Sequence, residues 1–294
     1  MRVITRGDMD GLTGTILISL VEHVTDIALT HPKDVQDGKI PVTENDIIIN
    51  LPYAKGCGIW FDHHISEEKK IADIGKFKGK FANAPSAARV IYNYYKLPAF
   101  EKFKDLLEAT DKLDSANLTP EEVANPSGWI LLGLTLDPRS GLAMEFRKYF
   151  RWLVEFIKEN TMGKVLAHPD VISRTKRVLQ EQEQFIKILK EYSHQEGNVI
   201  ISDLRGLNQL PAGNRFLVYT MYPDANVEVR IFPGVLNNVV VAAGNSIFNR
   251  TNKVNLGKLM AEYGGGGLPG AATCQLMEDE ADTKIAEIVA RLKQ

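Results

Sequence analysis

The sequence predicts an α/β protein in which a parallel-sheet domain is joined by a linker helix to a smaller α/β or α+β domain. Three observations predict it. Short β-rich runs alternate with helix-period segments over residues 1–115, the rhythm of parallel strands covered by helices. An amphipathic string from Asp170 to Tyr192 then keeps apolar residues at helical spacing and is long enough to bridge two domains. A second set of strand and helix patterns follows it, an ordinary domain in size at about 100 residues. The expected divisions are residues 1–160, a helical linker over 161–196, and residues 197–294. With 294 residues, 44% of them hydrophobic, the chain can furnish a core for each domain.

Taken in order, RVIT from Arg2, DIALTH from Asp26, DIIINL from Asp46 and GIWF from Gly58 are the strands of the first sheet. LTGTILISLVEHV from Leu12 and SAARVIYNYY from Ser86 are its helices, and residues 101–159 read as mostly helical. Asp137-Pro138-Arg139 reads as an ordered turn. Gly197 closes the long amphipathic helix. Beyond it NVIISDL, VEVRIF and NVVVAAG are strands, NRFLVYTMY and LGKLMAEY are helices, and DTKIAEIVARLK ends the chain.

The chemistry gathers at strand ends. Asp62, His63 and His64 follow the apolar run GIWF, and carboxylate with imidazole suits a divalent cation of the manganese type. Near the N-terminus Asp8 and Asp10 lie two residues apart after a short strand, so an extended segment would point both the same way. A dinuclear metal centre is the leading idea. The alternative, a core histidine, a surface histidine and an acidic turn, explains less of the pattern. Gly264 to Gly267, ahead of Leu268-Pro269-Gly270, suit either a flexible loop or a phosphate cradle of backbone N–H groups.

Net charge of −2 gives no global basic field, so any nucleic-acid contact is a local groove. Cys57 and Cys274 lie far apart with no CxxC spacing, so neither a zinc knuckle nor a disulfide framework is indicated, and the reducing cytoplasm fits best. No run approaches a membrane span, and the N-terminus lacks the sections of a signal peptide. The expectation is a cytoplasmic protein with no membrane partner.

TRGDMDG, NLP after a strand, FDHH and a late GGGGLPGAATCQ together resemble the DHH superfamily of phosphoesterases, which pairs a DHH domain with a C-terminal DHH-associated domain. HPKDVQDG, LDPRSG and FNRTNK make the chain most similar to the bacterial group labelled exopolyphosphatase-related. The resemblance covers nearly the whole chain. It implies hydrolysis of P–O bonds with one or two Mn²⁺ or Mg²⁺ ions. Metal positions fall on Asp8, Asp10, Asn50, Asp62 and His63, with Asp111 or Asp114 as a downstream ligand and Asp114 preferred as nearer the helix end. Catalytic positions fall on Asp62, His63, His64 and Arg6, and substrate positions on Asn249, Arg250, Gly265, Gly266 and Gly267.

Three residues depart from the family pattern. Arg6 replaces a metal-binding histidine, Asn50 a bridging aspartate, and Leu268 a phosphate-contacting histidine. A guanidinium at position 6 supplies charge and planar donors to Asp8 or a phosphate, and cannot activate water. Two functional classes therefore stand. One is a phosphohydrolase of short oligonucleotides, nucleotides or polyphosphate; the other is a nucleotide- or phosphate-binding module of the same fold. Small phosphorylated molecules or short single strands are the expected partners, and a homodimer stays open.

Overall fold

The computed structural model describes residues 1–68, 70–137, 142–207, 213–235 and 238–293. Pro138 and Arg139 of the expected turn lie outside the described residues. The chain divides into two compact units, Met1–Leu118 with Pro126–Thr175, and Thr119–Asn125 with Lys176–Gln294. The division falls within the helix Pro169–Tyr192. Among the described residues no helix is long and apolar enough to cross a membrane.

The first unit is built on five parallel strands, β1 (Arg2–Thr5), β2 (Asp26–Leu29), β3 (Asp46–Ile49), β4 (Ile59–Asp62) and β5 (Gly79–Phe81). They pair in the order β2-β1-β3-β4-β5, so the order reverses beside β1 and β3. β3 and β4 are buried at every residue, as parallel strands covered on both faces must be. Ile4, Ile48 and Trp60 point to one face, where Val35 and Leu51 join them. Gly11 is required where the helix Met9–Ile18 leaves the sheet, because a Cβ there would sit 2.1 Å from the Arg6 carbonyl oxygen.

The second unit carries a six-stranded sheet of β6 (Ser193–Glu196), β7 (Val199–Asp203), β8 (Val227–Pro233), β9 (Asn238–Asn245), β10 (Gly266–Leu268) and β11 (Ala271–Met277). Their order is β10-β11-β9-β8-β7-β6, antiparallel except for β7 with β8. Val227, Val229 and Ile231 alternate inward against Leu256, Leu259, Ile285 and Ile288 of two helices. The glycine run is neither a free loop nor a row of open amides. Gly264, at φ +76°, ends the helix Leu256–Ala261. Gly264 N–H donates to Ala261 O and Gly265 N–H to Met260 O. Gly266 and Gly267 then form β10. Gly265 is thereby corrected as an anion donor, since its N–H is already spent and a Cβ there would meet Thr273 O at 2.0 Å.

Candidate metal centre

The Asp8-Met9-Asp10 segment is not extended, and the two acids do not converge by strand alternation. Asp8 is the N-cap of the helix Met9–Ile18, its Oδ1 accepting from Gly11 N at 2.9 Å, and Asp10 lies in the first turn. That places the two carboxylates in different company.

Asp10 is 1% exposed, and its oxygens accept from Ala87 N and Ala88 N at 2.8 Å each. Those amides open the helix Ala87–Tyr95, whose N-terminus favours an anion. Burial nevertheless pushes the Asp10 carboxyl well up, with Asp114 and Asp8 adding to the rise and His63 opposing it.

His63, after β4, is fixed by its own ring. Nδ1 lies 3.0 Å from the Ala84 carbonyl, which only accepts, so Nδ1 carries a proton and Nε2 is turned toward the acids. Nε2 lies 3.0 Å from Asp114 Oδ2 and 3.7 Å from Asp10 Oδ2. The Asp10 contact is too long for a hydrogen bond and the Asp114 contact is an ion pair that does not form one, so Nε2 is buried without a hydrogen-bond partner. Burial pulls the imidazole down, but Asp114 and Asp10 outweigh it and hold His63 at about 9. One atom from each of Asp10, His63 and Asp114 lies within 4.8 Å of the others, and so does one from each of Asp62, His63 and His64.

A divalent cation fits this set. Two carboxylates and one imidazole are ligands for manganese- or magnesium-type ions, and a buried ring nitrogen with no hydrogen bond is what a cation would satisfy. Asp62, fully buried, leaves Oδ2 without a hydrogen bond, while His64 Nδ1 donates to its Oδ1 at 2.7 Å.

The other predicted ligands are engaged elsewhere. Asp8 Oδ2 pairs with Arg6 Nε at 3.0 Å, and its Oδ1 also accepts from Asn50 Nδ2 at 3.0 Å. A carboxylate only accepts, so it fixes the Asn50 amide with Nδ2 toward Asp8. Asn50 follows β3 at φ +58°, a left-handed conformation asparagine tolerates. Burial raises the Asp8 carboxyl, and Arg6 opposes the rise. Asp8 joins neither ligand group among the described residues, and Asn50 offers only its unpaired Oδ1. Asp111 stands apart from the cluster. It accepts from Ser86 Oγ at 2.6 Å and from the Arg89 guanidinium, Nε at 2.7 Å, and is thereby held to the Ala87–Tyr95 helix.

The Ala84 carbonyl and the Ala87 and Ala88 amides escaped the sequence reading. A serine before a helix-period run, at Ser86, was the available signal for an anion-accepting helix start. In the second unit Asn249 Nδ2 reaches back to donate to Asp224 O, ahead of β8, at 3.0 Å, while Arg250 Nε donates to Ile247 O at 3.1 Å within the turn after β9.

An open parallel sheet that brings carboxylates and imidazoles together past the C-terminal ends of its strands offers ligands suited to metal-assisted chemistry. A scan of protein-family models and a search of curated proteins return no match. Solved structures do match. The chain superposes on a pGpG-specific phosphodiesterase, PggH from Vibrio cholerae, with TM-score 0.89 and 35% identity over 99% of this chain and 98% of that one. The DHH domain of a member of a family of ribosomal proteins matches at TM-score 0.67 and 14% identity, covering 100% of this chain and 87% of that one. The chain belongs to the DHH superfamily of phosphoesterases.

Proposed function

We propose that the chain is a phosphodiesterase of short linear oligonucleotides, working with one divalent ion, manganese in preference to magnesium. The observation that carries this is the His63 Nε2 atom, buried without a hydrogen bond between Asp10 and Asp114. The cation would be held by Asp10, His63 and Asp114, with Asp62 as a further carboxylate, and would supply charge neutralisation and an activated water. Asp62 orients His64 through Nδ1, leaving Nε2 of that half-exposed ring to deliver a proton to the leaving oxygen. Arg6, steadied by Asp8, offers positive charge to the diester. A linear dinucleotide such as pGpG is the first substrate to try, since PggH is named for it. Two free thiols, Cys57 and buried Cys274, support a cytoplasmic setting.

A binding module is the second reading, favoured by the closed Arg6, Asp8 and Asn50 group. Manganese-dependent release of GMP from pGpG, followed by anion-exchange chromatography, separates the two. Turnover that vanishes with EDTA and returns with manganese supports the enzyme; tight binding of pGpG with no GMP released leaves only the module.

A further inference from the structure

A pocket of about 420 Å³ on the first unit is lined by Gln36, Pro52, Tyr53, Glu67, Lys70 and Ile74. These residues lie on segments that follow β2, β3 and β4, so the pocket shares the C-terminal rim of the sheet with the metal cluster. Glu67 N donates to the His64 carbonyl at 2.9 Å, which sets the acid one short helical turn, roughly 5 Å, beyond the histidine pair.

The lining has two characters. Tyr53 is braced edge-on against Trp60 at 5.3 Å between ring centres and leans on Phe77 at 6.2 Å, giving a rigid aromatic wall with Pro52 and Ile74 beside it. Against that wall stands Glu67, only 2% exposed, whose Oε1 accepts from Lys70 Nζ at 2.7 Å. Among the described residues Lys70 is its one side-chain partner, which leaves Oε2 for a ligand. Burying a carboxylate beside an apolar wall is costly unless something donates to it.

We propose that this pocket is a guanine subsite, in which Glu67 accepts from N1–H and the N2 amino group while Lys70 donates to O6. The assignment rests on the phosphodiesterase reading for its substrate class and on the pocket for its base. An ammonium only donates and a carboxylate only accepts, so from Lys70 to Glu67 the pocket presents donor, acceptor, acceptor. Guanine's pairing edge reads O6, N1–H, N2–H and is the complement. Adenine offers a donor then an acceptor, cytosine a donor then two acceptors, and uracil a single N–H between two carbonyls. None of these meets a carboxylate with two adjacent N–H groups. A site built to bond a ligand's N–H groups rejects analogues lacking them, because its own buried acceptor is left unpaired.

Calorimetric titration of the full chain with GMP, IMP and AMP tests this without any turnover. GMP should bind about 10- to 100-fold tighter than AMP, the value of a good bidentate pair, with IMP between them because it lacks the N2 amino group. In Glu67→Gln the carboxamide turns a donor toward the base, and GMP and AMP should differ by no more than about twofold. Equal affinity for the three nucleotides in the parent chain overturns the assignment, as does a Glu67→Gln chain that keeps the parent's preference. If the variant does not fold, the parent's three-ligand series decides alone. Selective GMP binding with pGpG left uncut would defeat the phosphodiesterase reading and spare the pocket; equal binding with brisk cleavage would do the reverse.

Discussion

Two groups of polar side chains stand at the C-terminal ends of one sheet, and they are finished differently. At the end of β4, His63 Nε2 and Asp62 Oδ2 are buried without hydrogen bonds. Beside β1 and β3, Asp8 accepts from Arg6, Gly11 and Asn50 and has little left to offer. The first group is incomplete by itself; the second is closed by the chain's own cation. Acidic composition alone does not make a metal site, and what separates the two is whether a cation that cannot deprotonate, here Arg6, already sits on the carboxylate.

The sharpest way to break that contrast is at His63. His63→Ala should take bound manganese, read by atomic emission, from about one ion per chain to none, and lower pGpG hydrolysis on the order of 100-fold or more, as losing a ligand outweighs the loss of a supporting contact. Full stoichiometry in that variant would mean that the cation sits elsewhere.

Proton release is the next largest effect. His63 is raised from 6.5 to about 9, so the charged ring and its acids stabilise the metal-free fold below about pH 6.5, and that contribution is lost as the pH climbs through 9. Burial raises the Asp10 carboxyl as well, and the charged His63 ring opposes that rise. A cation needs both groups deprotonated. Manganese affinity should therefore rise about tenfold per pH unit between 6.5 and 9, one proton leaving per ion bound. A flat titration over that window would contradict the assigned ligand.

The closed group can be opened. Arg6→His with Asn50→Asp removes the internal cation and adds a neutral imidazole and a second carboxylate, so manganese per chain should rise from one toward two. The pair must be made together because the residues act on one carboxylate. An unchanged count would place the difference between the regions in shape and not in charge.

Asp111→Ala is the mildest change. It removes the partner of Arg89 and should cost about 1 kcal/mol of stability, measured by urea unfolding, with manganese binding intact. Loss of metal there would return Asp111 to the ligand set.

The first sheet was legible because its strands are short apolar runs, DIII and IWFD, divided by helix-period segments. β10 and β11 were not, since glycines suggest a loop; yet Ala271–Met277 alternates buried and exposed at every step, a strand signature hidden behind them. Asp62, His63 and His64 were legible as a run. The choice between Asp111 and Asp114 was not, because three residues of helix leave both on one face, and only the folded position of Arg89 and His63 separates them. The pairing of Arg6 with Asp8 could be anticipated from charge, but the turning of Asn50 onto the same carboxylate depends on its left-handed backbone.

Asp10 carries a further lesson for comparing sequences of this kind. Its carboxylate ties the first turn of one helix to the opening amides of another 77 and 78 residues away. A descendant that abandoned chemistry altogether would still need that clamp, so an aspartate here is poor testimony of a working enzyme. His63 Nε2 clamps no backbone in this way; it faces the Asp114 and Asp10 carboxylates. In a diverging lineage it would be the earlier casualty, and its presence or absence the better guide to which relatives still turn over substrate.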